Sequence, residues 1–218
     1  MIIFHFCFDL NIFHYADFDI RYGVFWHYYR YLIVSIFVFA SGISLEIAYR
    51  DGIKKKKVLY RLFTLGGASL AVSIGSYMQF PTTWIYFGIL HFFLFASFAG
   101  LFFLKIPKIA LFTGIGIIVG YNLQLLNMHW LYQLLQLPLH LPIVYTEDLI
   151  NIFPWFGVFL LGIVFSYYQF AQKLFSVHLF SKESVFNHIF SYIGRYSIWI
   201  YLLHQVLFFG IFFLLELV

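Results

Sequence analysis

Charge is scarce in this chain of 218 residues: Asp, Glu, Lys and Arg supply 10% of it, against roughly 25% in soluble domains. Too few polar side chains remain to cover a globule in water, so an ordinary soluble domain is excluded. Cysteine occurs once, at Cys7, which excludes an intrachain disulfide and a cysteine zinc site. Acidic residues number nine and basic residues 13, for a formal charge of +4. The basic residues form no face or stripe outside short connections, which argues against a nucleic-acid partner. Hydrophobic residues, in contrast, make up 63% of the chain and aromatics 24%, with a mean hydropathy of +0.89. The partner this composition describes is a lipid bilayer, and the fold expected is an all-α integral membrane protein, a multi-pass helical bundle.

Uncharged runs locate the crossings. Residues 62–104 carry no charge and are long enough as helix for two passes of a core roughly 30 Å thick, with the break at Pro81. Residues 109–146 are also uncharged, but Asn122, Gln124, Asn127, His129, Pro138, His140 and Pro142 make their second half a poor lipid-facing helix, so one crossing and then a long loop are expected. Residues 149–172 and 196–215 each suit one crossing, and 31–45, extended by 24–29, adds another. Residues 1–13 are apolar and helical in pattern but short, without the basic start or small-residue cleavage site of a signal peptide. The expectation is therefore a single domain over residues 1–218 with six full transmembrane helices plus a shortened first one, clipped at its N-terminus relative to the functional protein.

Basic residues alternate between connections. Arg50, Lys54, Lys55, Lys56, Lys57 and Arg61, then Lys105 and Lys108, then Lys173, Lys182 and Arg195 hold 11 of the 13 and mark the cytoplasmic side. Asp17 and Asp19, the turn at Pro81, and Glu147 with Asp148 then face outward. This pattern predicts a multi-pass protein of the plasma membrane with its C-terminus outside. Gly116 with Gly120 and Ala96 with Gly100 stand at a spacing suited to close helix packing.

Ionisable groups within apolar segments are costly and mark candidate sites. His5 and Asp9 lie four apart, on one helix face, where the carboxylate can orient the imidazole. From helical rise, His5, His91 and His204 fall about 12, 9 and 17 Å below the outer surface. Segments distant in sequence thus bring three histidines to one layer, read as a shared polar pocket, with separate interhelical hydrogen bonds as the other reading. A metal site is not expected, since no His-Glu-x-x-His or comparable spacing occurs and His178 and His188 lie in a cytoplasmic connection. Trp84 and Trp155 stand where interfacial aromatic belts form, and Pro154 fits the first turn of a helix.

Several stretches also resemble a known family: residues 1–11 with His5, Asp9 and Asn11, then Phe39-Ala-Ser-Gly42-Ile-Ser-Leu45, Phe87-Gly-Ile-Leu-His91, Phe153-Pro-Trp-Phe-Gly157, and Gly194-Arg-Tyr-Ser197 with Tyr201-Leu-Leu-His204-Gln205. In this order they are similar to the heparan-alpha-glucosaminide N-acetyltransferase catalytic-domain family, in its bacterial form. The resemblance implies a multi-pass membrane acyltransferase that carries an acetyl group from acetyl-CoA to a sugar amine or hydroxyl across the membrane. Family members usually open with an Arg and an Asp-x-x-Arg-Gly stretch ahead of the residues matching Met1, which motivates the clipped-start expectation. In the lysosomal relative the reactive histidine lies just after the first helix, a place nearest His14, while His5 looks more like the position bacterial relatives keep. Both are carried, with His5 preferred.

Under this reading His5 activates the acceptor or is transiently acetylated, Asp9 orients it, and His91 or His204 stabilises charge. The CoA phosphates need cations, for which Arg195 and Lys54, Lys55, Lys56 and Lys57 are the candidates. Arg30 is read as a headgroup anchor or an internal partner for Asp9, and with Asp148 and Trp155 as bordering the acceptor entrance. The competing class is a non-catalytic membrane protein, either a small proton-coupled transporter or a degenerate acyltransferase remnant.

Overall fold

A computed structural model describes residues 1–20, 22–142, 146, 148–176 and 185–216. The expectations placed on Glu147, His178 and Lys182 lie outside these residues. Among the described residues the fold is all-helical: α1 (Ile2–Ile12), α2 (Val24–Tyr49), α3 (Lys55–Gln79), α4 (Ile89–Gly100) with a 3-10 turn (Leu101–Phe103), α5 (Pro107–Asn122), α6 (His129–Gln136), α7 (Ile152–Tyr167), α8 (Phe170–Phe175), α9 (Val185–Arg195) and α10 (Ser197–Glu216). Three helices, Val24–Tyr49, Lys55–Gln79 and Ser197–Leu215, are long and apolar enough to cross a membrane. The apolar helices Ile2–Ile12, Ile89–Phe103 and Ile152–Tyr167 are shorter.

Two expectations about element boundaries change. The uncharged run 62–104 does not resume as helix directly after its break at Pro81: α3 ends at Gln79 and α4 begins only at Ile89. Side chains hold the intervening segment: Ser73 Oγ donates to Ile85 O at 2.7 Å, Ile85 N donates to Ser76 Oγ at 2.9 Å, and Thr146 Oγ1 donates to Trp84 O at 2.7 Å. Within the stretch read as a loop, residues 129–136 form α6, docked through Tyr132, whose hydroxyl donates to Pro142 O and whose ring faces Tyr86.

Contacts divide the chain into two compact units, Met1–Val34 with Phe175–Val218, and Ser35–Leu174. In the first, α1 and α10 lie parallel and pack through aromatic rings, Phe6 on Phe208 at 5.4 Å and Phe13 on Phe212 at 5.3 Å. In the second, α7 is central. Its Phe159, Leu160 and Ile163 are fully buried, as are Val38 and Leu45 of α2 and Phe92 of α4. Backbones meet at glycine pairs: Gly162 against Gly42 of α2, and Gly157 against Gly114 of α5. The expectation for Ala96 and Gly100 holds, since Ala96 is buried and a Cβ on Gly100 would meet Phe159 and Leu45. It fails for Gly116, which has nothing within 4 Å of its Cβ position. Pro154 follows a cis peptide and the extended Phe153, so the regular part of α7 starts at the proline, as its fixed φ favours.

Glu46 of α2 and Arg50, just past its end, form an ion pair that is 36% exposed at Arg50 and hydrogen-bonds to Ser166 of α7. Glu46 is 3% exposed. Its Oε2 accepts from Arg50 Nη2 at 2.6 Å and from Ser166 Oγ at 2.7 Å, and Arg50 Nη2 also donates to Ser166 O at 2.9 Å. Arg50 thereby meets the C-terminal carbonyl end of α7, where a cation is favoured, and the hydrogen bonds it donates to Glu46 raise the guanidinium pKa above its ordinary value. Removing Arg50 alone leaves a buried carboxylate short of a partner. Arg50→Ala is expected to destabilise the protein by about 1–3 kcal/mol, with the Glu46→Leu/Arg50→Leu double variant recovering most of the loss. Chemical unfolding in detergent micelles checks this, and a double variant no more stable than Arg50→Ala would contradict it.

Candidate active site

Helical spacing puts His5 and Asp9 on one face of α1, and the parallel packing of α1 on α10 brings that face to His204 and Gln205. The His5 and His204 rings meet edge to face with centroids 5.0 Å apart. Asp9 is 0% exposed, and its Oδ1 accepts from Gln205 Nε2 at 2.7 Å. That hydrogen bond offsets part of the cost of placing a carboxyl group there.

The tautomer of His204 follows from its neighbours. Nδ1 lies 2.6 Å from Tyr201 O and 3.2 Å from Ile200 O, both pure acceptors, so Nδ1 carries the proton. In the neutral ring Nε2 is then a lone-pair acceptor. That Nε2, Asp9 Oδ2 and Gln205 Oε1 are buried with no hydrogen-bond partner among the described residues. Three orphaned acceptors in one cluster suit a group carrying several N–H or O–H donors, and a base whose lone pair is already free can take a proton from it.

The remaining candidates are distributed as follows. His14 is exposed directly beyond the end of α1, in the left-handed region at φ 58°. Arg30 is exposed on α2, and the hydrogen-bond partner of Asp9 is Gln205 instead. Arg195 is exposed in the last turn of α9. His91 belongs to the other unit, where both ring nitrogens are engaged: Nδ1 accepts from Gly88 N at 3.3 Å and Nε2 meets Ser73 Oγ at 3.1 Å. Since Ser73 gives its own proton to Ile85 O, His91 Nε2–H is the donor to Ser73 Oγ. Asp148 Oδ2 accepts from Ile89 N at 3.2 Å, capping α4 across sequence. Trp155 is 8% exposed, in the core of that unit. Lys54, Lys55, Lys56 and Lys57 are exposed at the start of α3.

Gln205 and Ser73 received no role from the sequence. For Gln205 the available signal was polarity itself, since an amide in an otherwise apolar crossing needs a partner. Among the described residues no three His, Cys, Asp or Glu come together to hold a metal ion.

No curated protein and no solved structure matches the chain. The model of the family described as "Heparan-alpha-glucosaminide N-acetyltransferase, catalytic" does match, over residues 1–206. That match takes in α1 and reaches just past His204 and Gln205 on α10, and by it the chain belongs to the heparan-alpha-glucosaminide N-acetyltransferase catalytic family.

Proposed function

We propose that this protein transfers an acetyl group from cytoplasmic acetyl-CoA to an extracytoplasmic sugar amine or hydroxyl, as one membrane acyltransferase domain over residues 1–218. Membership of the family supports membrane acetyltransferase activity in general. The observation that carries the finer reading is the trio of unpartnered acceptors, His204 Nε2, Asp9 Oδ2 and Gln205 Oε1. An acceptor amine or hydroxyl supplies the donors they lack. His204 Nε2 takes its proton as its nitrogen or oxygen attacks the thioester carbonyl; the new C–N or C–O bond forms, the C–S bond breaks, and the departing CoA thiolate recovers a proton. Gln205 and Asp9 bind and orient the acceptor through Oε1 and Oδ2, and His5 packs the imidazole from the side or carries the acetyl group transiently.

The topology proposed has six crossings after the short α1, with basic connections in the cytoplasm, the C-terminus outside and the plasma membrane as the location. Helix directions within each unit support it. α2 and α7 run parallel, as Gly42 beside Gly162 and Glu46 beside Ser166 require, and α3 runs antiparallel to α4, with Arg61 against Ser97 and Ser73 against His91. Lys55, Lys56 and Lys57 occupy the first turn of α3, where the helix dipole disfavours cations, so an anion outside the helix is their natural partner. The phosphates of CoA or of lipid headgroups fill that role, with Arg195 as a further cation on the same side.

Calorimetric titration of acetyl-CoA into the full chain in lipid nanodiscs tests the proposal. Binding that weakens as salt rises is expected. The Asp9→Asn variant should bind acetyl-CoA equally while transferring more slowly to a hexosamine acceptor. Absence of acetyl-CoA binding together with proton flux in vesicles would favour the transporter reading, in which the same His and Asp groups relay protons. Absence of both would leave a degenerate remnant.

A further inference from the structure

In helix α9 the residues from His188 to Arg195 are exposed. Its two faces nevertheless differ. At about 100° per residue, Ile189, Phe190 and Ile193 fall on one side, while His188, Ser191 and Arg195 fall on the other. Ile189 is 51% and Ile193 46% exposed. A helix of 11 residues is roughly 16 Å long, too short to cross a bilayer. Water leaves its apolar side uncovered, and the bilayer core leaves Arg195 and His188 unsolvated.

The junction with α10 gives the level at which α9 sits. One residue, Tyr196, separates Arg195 from the spanning helix that begins at Ser197. Tyr192, Tyr196 and Trp199 flank that arginine in sequence, and all are exposed, with the Tyr192 and Tyr196 rings 5.0 Å apart. Aromatic rings with a polar tip, next to a cation at the start of a spanning helix, are the composition of a membrane–water interface. On α10, Leu203, Val206 and Leu207 are exposed as well.

We infer that α9 lies flat in the interface of the bilayer, with Ile189 and Ile193 immersed in the boundary between headgroups and acyl chains and His188, Ser191 and Arg195 turned to headgroups and water. The occupant of its apolar face is lipid. This rests on the membrane reading of the chain and is independent of acetyl transfer.

Spin labels on single cysteines test it in the full chain, with Cys7 replaced by serine, in vesicles of phosphatidylethanolamine and phosphatidylglycerol. Labels at Ile189→Cys and Ile193→Cys should collide readily with oxygen and poorly with a water-soluble nickel chelate, and labels at His188→Cys and Ser191→Cys should show the reverse. Nickel access at all four positions would place α9 in water, and oxygen access without nickel at all four would place it in the core. Spin–spin broadening at Ile189→Cys and Ile193→Cys would mean that a second copy covers the face. Any of these three results overturns the inference. A label at Val206→Cys, on lipid-facing α10, should show oxygen access if the chain spans the membrane, which separates failure of the interfacial placement from failure of the membrane reading.

Discussion

The His204→Ala exchange is expected to lower acetyl transfer by about 10²- to 10⁴-fold, the usual contribution of a positioned general base, with acetyl-CoA binding retained. The expectation follows from the tautomer. Tyr201 O and Ile200 O hold the proton on Nδ1, so Nε2 meets the acceptor as a base without prior rearrangement. His5→Ala tests the competing assignment. Its ring touches that of His204 at 5.0 Å, so either histidine can face the reacting atoms. If the two work as one unit, the double variant should be no slower than the slower single one, because residues acting together are grossly non-additive. If His204→Ala transfers at the wild-type rate while His5→Ala does not, the base is His5 and the tautomer argument fails. Initial rates with saturating acetyl-CoA, in nanodiscs, separate these outcomes. Calorimetric binding by each variant shows that the loss lies in transfer and not in folding.

How much of this was legible in the sequence depended on distance along the chain. The helical character of the chain followed from composition, and counting residues along the segments placed His5, His91 and His204 in one layer, of which the first unit joins His5 to His204. Asp9 was identified as a costly group because burial of a carboxylate is visible from its apolar neighbours alone. Its partner was not identified, because helix-face reasoning looks four residues away along one chain, whereas Gln205 arrives from a helix 196 positions later. The same limit hid the cap that Asp148 places on α4 from 59 positions away. The gap between α3 and α4 carries no charge, so the pattern used to find crossings ran through it. Its geometry is set by hydroxyl groups of Ser73 and Ser76 that fit a helix as well as a turn. Helix α6 was read as loop because its polar residues are frequent, although their spacing is helical and leaves Trp130, Leu134 and Leu137 on one exposed side.

Close packing shows the same division and yields the largest expected effect on stability. Close packing was read from Gly116 with Gly120 and from Ala96 with Gly100, of which the second holds, yet the tightest backbone contacts lie at Gly42 and Gly162, which are 120 positions apart. A Cβ on Gly42 would stand 2.1 Å from Phe159 O, and one on Gly162 would stand 2.2 Å from Phe39 O. Both obstacles are backbone, so no rotamer change relieves them, and α2 and α7 must separate by about 1 Å to restore an ordinary contact. That movement loosens Val38, Leu45, Phe159 and Ile163, all fully buried. It also pulls Glu46 from Ser166, since each lies one turn beyond its glycine. Gly42→Ala is therefore expected to cost about 3 kcal/mol or more, lowering the unfolding temperature by roughly 6–12 °C for a chain of this size. Gly116→Ala is the control with the opposite sign: its Cβ meets nothing within 4 Å, and alanine in a helix interior is favoured over glycine by about 0.5–1 kcal/mol. Thermal unfolding of both variants in one detergent checks the pair. Equal midpoints would mean that the α2 and α7 backbones are not in contact at Gly42 and Gly162, and the parallel alignment of Glu46 with Ser166 would then lose its support.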